Sequence, residues 1–214
     1  MATTYFQFKQ FKVEQSLAAM KVCTEACIFG ALVKTTDAPR RILDIGTGTG
    51  LLSLMLAQKY DCPIDAVEIE INACNQAKLN FENSPWKNNL NAYNTSIQKF
   101  SNENSEKYDL IISNPPFFCD HLQATNAAKN IALHNNTLSQ LDLLASAKAL
   151  LSDKGELHLL LPPSEADRFD SLAVKNGLYL NKRTVRAFVK QKEFKTKLIP
   201  NILYDDLNNF FEGA

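Results

Sequence analysis

From about residue 41 onward, short runs of consecutive apolar residues alternate with longer stretches whose apolar positions recur at helical spacing. The short runs predict strands near 41–45, 63–68, 90–94, 108–113, 155–161 and 178–188. The longer stretches predict helices near 50–60, 70–82, 138–151 and 164–176. Ahead of them, residues 12–34 read as an amino-terminal helical segment. Strands and helices that take turns in this way build an α/β fold, with a mainly parallel central sheet and helices on both faces. Ligands of such sheets bind beyond the carboxyl ends of the strands, where the strand order reverses. The loops at 46–50 and 114–117, after the first and fourth predicted strands, would open into one crevice there.

Composition narrows this picture. The chain has 214 residues, 45% apolar and 21% charged, which suits one globular domain with a sizeable core. We expect a core over 41–188, an amino-terminal extension over 1–40 that closes over the ligand, and an atypical tail over 189–214. Basic and acidic residues balance at 23 each, so the protein is no bulk polycation. No apolar run reaches membrane-spanning length and no secretory signal is visible, so a cytoplasmic location is expected. Five cysteines, an odd number, fit reduced thiols. Cys23 and Cys27 lack a second ligand pair, and Cys119 and His121 are likewise isolated, so no metal centre is expected.

The sharpest chemical signal is Asn114-Pro115-Pro116-Phe117, directly after the strand-like run Tyr108 to Ser113. Asn114 offers a side-chain carbonyl, Pro115 a backbone carbonyl on a stiffened chain, and Phe117 a flat face on which a base can stack. An exocyclic amine is a poor nucleophile because its lone pair spreads into the ring. Two acceptors that hold its two N–H groups turn that lone pair toward an electrophile. The proton leaves after transfer, so no strong general base is required.

A second signal lies upstream. Arg41-Ile42-Leu43-Asp44-Ile45 runs into Gly46-Thr47-Gly48-Thr49-Gly50 and then into an apolar-periodic helix. Glycine permits positive φ and a close backbone approach to a ligand. The spacing G-x-G-x-G is not the dinucleotide fingerprint G-x-G-x-x-G. Asp44 would repel a pyrophosphate and suits a cationic ligand, such as the ammonium of S-adenosylmethionine. About twenty residues on, Glu68 ends the second predicted strand, where a carboxylate can accept both hydroxyls of a ribose. Ile69 would flank an adenine ring. Glu70, the competitor for the ribose role, is expected to start the following helix instead, where its charge suits the dipole.

These residues resemble the class I S-adenosylmethionine-dependent methyltransferases, in the amino-methylating branch with an Asn/Asp-Pro-Pro-aromatic signature. Phe8-Lys9-Gln10-Phe11, Met20 to Ala26, Gly30-Ala31, Asn83-Ser84-Pro85-Trp86 and Asp109 to Phe118 are similar to the corresponding stretches of the bacterial tRNA1(Val) adenine(37)-N6-methyltransferase family. The likeness runs over about 8–188 in motif order. It implies a Rossmann-like class I fold with S-adenosylmethionine as cofactor. It also implies N6 methylation of the adenosine beside the anticodon of a valine tRNA. On this resemblance Asp44, Gly46, Gly48 and Glu68 bind the cofactor, and Lys21 and Thr24 close over its methionine end. Asn114 and Pro115 hold the amine, and Phe117 stacks on the base. For Lys21 a solvated charge, and for Thr24 a helix cap, are equally good readings of the residues.

Three positions depart from that pattern. Ser96 stands where an Asp usually touches the cofactor's adenine, and a hydroxyl is the weaker acceptor. Cys23 stands where a glycine is usual, which requires a negative φ there. Pro200 interrupts the last apolar stretch and demotes it to an edge or non-strand.

Charge points to RNA only locally. Eight basic residues between Lys175 and Lys197 face one acid, Glu193. Lys182, Arg183 and Arg186 in this run could track phosphates, or belong to a solvated hairpin. Lys9, Lys12 and Lys21 could add a second edge. The rival substrates are a release-factor glutamine and an rRNA guanine N2, both planar amino groups. The residues before Arg41 are too few for the separate domain that release-factor enzymes carry, and the added domain common among the guanine enzymes is absent. A catalytically silent RNA-binding scaffold is the remaining alternative, against which the intact Asp44 and Asn114 weigh.

Overall fold

The computed structural model describes residues 4–18, 20–115 and 138–183. Its elements in chain order are β1 (Tyr5–Gln7), β2 (Lys12–Glu14), α1 (Thr24–Leu32), β3 (Ile42–Ile45), α2 (Leu51–Ala57), β4 (Ile64–Glu68) and α3 (Ile71–Glu82), then β5 (Leu90–Asn94), α4 (Ile97–Glu103), β6 (Tyr108–Ser113), α5 (Gln140–Leu150), β7 (Leu151–Leu159) and α6 (Pro163–Lys175).

The five long-range strands form one sheet in the order β5-β4-β3-β6-β7. Every pair is parallel. The chain winds outward from β3 through β4 to β5, then returns to the other side of β3 to place β6. The carboxyl ends of β3 and β6 are therefore the switch point, where a crevice opens. This is the α/β, doubly covered arrangement expected from the apolar pattern.

Alternation along β3 distributes its side chains to two cores. Ile42 packs with Leu54, Met55, Leu56 and Ile64 under α2. Leu43 and Ile45 pack with Phe100, Leu143, Leu144 and Ala147 under α4 and α5. Each such aliphatic side chain stabilises the fold by about 1.5–3 kcal/mol on leaving water. A buried polar knot ties the opposite, amino ends of the strands. There Asp65 accepts hydrogen bonds from Tyr108 Oη (2.9 Å), Arg41 Nη1 (3.0 Å), Asn91 Nδ2 (3.2 Å) and Tyr93 Oη (3.3 Å).

Several expectations are corrected. Residues 12–18 and 20–23 are not helical. β1 and β2 pair antiparallel as a hairpin, with Phe6 opposite Val13, and only Thr24–Leu32 forms a helix. The hairpin turn stacks Phe8 on Phe11 (4.5 Å between centroids), and Phe11 meets Trp86 edge-on at 5.7 Å. Ile97–Glu103 is a helix that the apolar pattern did not predict. β7 starts at Leu151 and not at about 155, with a register shift opposite Tyr108 and Leu110. Residues 178–183 are not a strand. The remainder of that predicted strand, 184–188, and the tail with Pro200 lie outside the described residues. Among the described residues, no helix is long and apolar enough to cross a membrane.

Candidate active site

The glycine loop takes its shape from three left-handed residues, Gly46, Gly48 and Gly50, with φ of 72°, 57° and 83°. A side chain at Gly46 or Gly48 would meet nothing within 4 Å, whereas one at Gly50 would come within 2.5 Å of Phe81. Gly50 is thus a packing requirement, while a side chain at Gly46 or Gly48 would stand in open space. The Gly46 and Thr47 N–H groups both donate to the Val67 carbonyl, at 2.8 and 3.2 Å.

Asp44 lies wholly buried beneath this loop. Its Oδ2 accepts hydrogen bonds from Thr47 Oγ1 (2.6 Å) and Ser53 Oγ (2.7 Å), and its Oδ1 has no partner. Burial pushes its pKa up to about 6, against the pull of the two hydroxyls and with help from the nearby Glu68 charge. Asp44 is therefore first the organiser of the loop. Any charge it offers a cation acts from below, in a medium that screens little.

Glu68 joins the loops that follow β3 and β4. Its Oε2 accepts from the Gly48 N–H and its Oε1 from the Glu70 N–H, each at 2.9 Å. A carboxylate has about four acceptor sites, so two remain. Ile69 stands 57% exposed beside it. Glu70 caps α3, accepting from the Asn72 and Ala73 N–H groups at 3.0 and 2.7 Å, and these bonds hold its pKa below the usual carboxylate value. Ser96 caps α4 through the Lys99 N–H (3.2 Å); the cap uses an oxygen lone pair and leaves the hydroxyl hydrogen. Asn94 Nδ2 bridges the Glu68 and Ile69 carbonyls at 3.0 and 3.1 Å.

On the other side of the switch point, Ile45 pairs with Ser113, and Ser113 Oγ donates to the Ile45 carbonyl at 2.7 Å. Gly46 and Asn114 thus leave neighbouring strand ends. Asn114 is half-buried and Pro115 buried. Phe117 lies outside the described residues, as do Cys119 and His121. Thr24 is the exposed first residue of α1; its neighbour Cys23 holds the cap position at φ −126°, the negative value its side chain requires. Lys21 Nζ donates back to the Gln15 carbonyl.

Of the basic run, Lys175, Lys182 and Arg183 lie in the described residues. Arg183 donates from Nη1 to Asp167 (2.6 Å) and Asp170 (3.5 Å), and from Nη2 to the Pro163 carbonyl (3.2 Å). Its charge is answered by α6. Lys182 is exposed, and Arg186 lies outside the described residues. Sequence reasoning missed Thr47, Ser53, Asn94 and Ser113. Thr47 and Ser53 do carry a signal, being, with Thr49, the hydroxyls inside an otherwise glycine and apolar stretch. Among the described residues, no group of three or more His, Cys, Asp or Glu could hold a metal ion.

Residues 26–166 match the methyltransferase small domain family. The chain is 43% identical over 204 residues to a protein of Cytophaga hutchinsonii named tRNA1(Val) (adenine(37)-N6)-methyltransferase, covering 95% of this chain and 84% of that one. A protein of Trichodesmium erythraeum with the same name is 44% identical over 186 residues, covering 86% and 77%. The chain belongs to the tRNA1(Val) (adenine(37)-N6)-methyltransferase family. Solved structures share the family's fold at low identity. The ribosomal protein L11 methylase of Lactobacillus delbrueckii subsp. bulgaricus superimposes with a TM-score of 0.58 at 16% identity, over 82% of this chain and 79% of that one. The TYW2 protein of P. horikoshii, in complex with MeSAdo, does so at 0.56 and 14% identity, over 81% and 60%. As a member of this family the chain is an N-methyltransferase, and the Rossmann-like class I fold is the one its sequence implied.

Proposed function

We propose that this protein transfers the methyl group of S-adenosylmethionine to N6 of adenosine 37 in a valine tRNA, the substrate in its relatives' name. The observation that carries the reading is the Ile45–Ser113 pairing, which brings the glycine loop and Asn114-Pro115 to adjacent strand ends. The residues fit the cofactor. Gly46 and Gly48 leave their crevice side open, and Glu68 keeps acceptor capacity for ribose hydroxyls. Ile69 offers a face to adenine, Ser96 a hydroxyl hydrogen, and Asp44 a negative charge under the loop. Lys21 and Thr24 lie on the segment that would close over the methionine end. When bound, S-adenosylmethionine would supply an electrophilic methyl on a sulfonium, whose carbon–sulfur bond would break as the methyl is taken up, the sulfur leaving as a neutral thioether.

In this reading Asn114 accepts one N–H of the adenine amine through its side-chain carbonyl, and Pro115 accepts the other through its main chain. Together they turn the nitrogen lone pair out of conjugation, and the surplus proton passes to solvent after the new C–N bond forms. Phe117 stacks on the base. A loop nucleotide is the cheapest base to extrude into such a crevice. The domain organisation proposed with it is an amino-terminal extension over 1–40 that covers the cofactor and a core over 41–188 that carries the chemistry. A tRNA substrate places the enzyme in the cytoplasm.

The test is methyl transfer to total tRNA, rRNA and protein, followed by nucleoside and amino-acid analysis. N6-methyladenosine at position 37 of a valine tRNA is the expected product. N2-methylguanosine or methylglutamine would replace the reading, and no transfer to any of the three would return the chain to an RNA-binding scaffold.

A further inference from the structure

Asn80 is an amide in the interior of α3, 2% exposed, at a position where asparagine is a poor helix former. Three of its hydrogen-bonding positions are in use. Oδ1 accepts from the Glu14 N–H at 2.9 Å, and Nδ2 donates to the Glu14 carbonyl and the Thr49 carbonyl, both at 2.8 Å. The pair of bonds to Glu14 imitates a strand neighbour of β2. The bond to Thr49 holds the glycine loop between Gly48 and Gly50. One turn earlier on α3, the buried Gln76 accepts from the Leu17 N–H (3.0 Å) and Ser16 Oγ (3.4 Å). Two amides of one helix thus grip residues 14–17, and one of them also grips the loop.

We propose that Asn80 is a positioning residue that couples the seating of the amino-terminal hairpin to the binding shape of the glycine loop. The inference rests on the reading of that loop as the S-adenosylmethionine seat. The physical reason is shared satisfaction. If the hairpin lifts, Asn80 loses the groups that fix its amide plane, and the buried Thr49 carbonyl loses its oriented donor; a polar group left unpaired costs more than a made bond is worth. The opposite direction follows by linkage: a ligand that fixes the loop also favours the seated hairpin. The segment so held leads to Lys21 and Thr24, so the coupling would close the crevice as the cofactor enters.

The test uses Asn80→Ala and Gln76→Ala in the full chain. Gln76→Ala loosens the hairpin without touching Thr49. Steady-state kinetics with S-adenosylmethionine and tRNA are combined with amide exchange on residues 5–17 and 46–50, with and without S-adenosylhomocysteine. Asn80→Ala is expected to raise KM for S-adenosylmethionine about tenfold or more, the worth of a lost buried amide bond, with kcat at saturation within about threefold of wild type. Gln76→Ala should raise that KM as well, by less. Exchange in both segments should rise together in the variants, and S-adenosylhomocysteine should slow both in wild type. A merely structural residue would lower thermal stability and leave the KM-to-kcat split unmoved. That outcome overturns the coupling, as does hairpin exchange that rises in Gln76→Ala with an unchanged KM. The second variant decides the matter even if Asn80→Ala fails to fold. Wild-type turnover that does not saturate with S-adenosylmethionine would instead sink the cofactor reading itself, and this inference with it.

Discussion

Gly48 and Glu68, twenty positions apart in sequence, are joined by a hydrogen bond of 2.9 Å from the glycine N–H to the carboxylate. The bond fastens the loop after β3 to the loop after β4, on the side of the crevice where a ribose would lie. In the proposed reading Glu68 would thus shape the cofactor's seat as well as offer it acceptors. Glu68→Ala should weaken S-adenosylhomocysteine binding by about 1.5–3 kcal/mol, as for bonds to a charged group. Glu68→Gln, which keeps one acceptor, should lose less. Titration calorimetry on both variants checks this, and equal losses would mean that charge and not the bonds is what matters.

The glycines of the loop separate two effects. Gly48→Ala places a side chain in open space at φ 57°, so its stability cost should be backbone strain alone, about 1 kcal/mol. Its cofactor affinity should fall more, because the new methyl occupies the ligand side. Gly50→Ala meets Phe81 at 2.5 Å as well as the strain, and overpacking should add about 1–3 kcal/mol. Denaturant midpoints for the two variants should differ accordingly.

Asp44 gives the fold a pH signature. Its pKa stands near 6 in the folded chain against the ordinary 3.8. Below the ordinary value the group is protonated in both states and costs nothing. As pH rises through about 6 the folded chain must carry a buried charge, and that share of stability is lost. Relative to Asp44→Asn, the wild type should therefore gain up to about 3 kcal/mol between neutral pH and about pH 4. Urea unfolding across that range checks the sign; a difference that does not vary with pH would show that the carboxylate is ionised without cost.

Asn114→Ala should leave cofactor binding nearly intact and slow methyl transfer by about 10²–10³-fold, the usual loss when one positioned transition-state contact is removed. Single-turnover rates with saturating tRNA measure it. A rate close to wild type would leave Asn114 with the role of a turn residue.

Arg183 is held by Asp167 and Asp170 of α6, which leaves little net charge for a phosphate. Arg183→Gln should leave tRNA affinity and its salt dependence unchanged. A phosphate contact would instead flatten the salt slope by about 0.7–0.9 log units. Filter binding over a salt series reads the difference, and the flattened slope would reinstate the basic run as an RNA edge.

The sequence by itself determined the parts whose causes are local. The apolar runs at β3, β4 and β6 are strands because consecutive Ile, Leu and Val positions suit a sheet covered on both faces. Gly46, Gly48 and Gly50 mark left-handed turns because other residues resist positive φ. Glu70 announces its own helix start by charge and position. Asn114-Pro115 was legible as a strand end, and the order of the elements was enough to bring it beside the glycine loop.

What only the tertiary structure decided depends on partners far away in the chain. Strands of three residues, such as Lys12–Glu14, are too short to show a period; β2 exists because β1 pairs with it, and Asn80, 66 positions after Glu14, secures its end with a strand-like pair of bonds. The helix after Ser96 depends on a cap and on burying Ile97 and Phe100 against α5. Arg183 reads as an unspent cation until α6 places two carboxylates against it. Asp44 reads only as an acid for a ligand until Thr47 and Ser53, bonded to its Oδ2, show that it also organises the loop. A residue's type limits which bonds it can make; the burial and partners set by the completed fold decide which of them it makes, and what charge remains for a substrate.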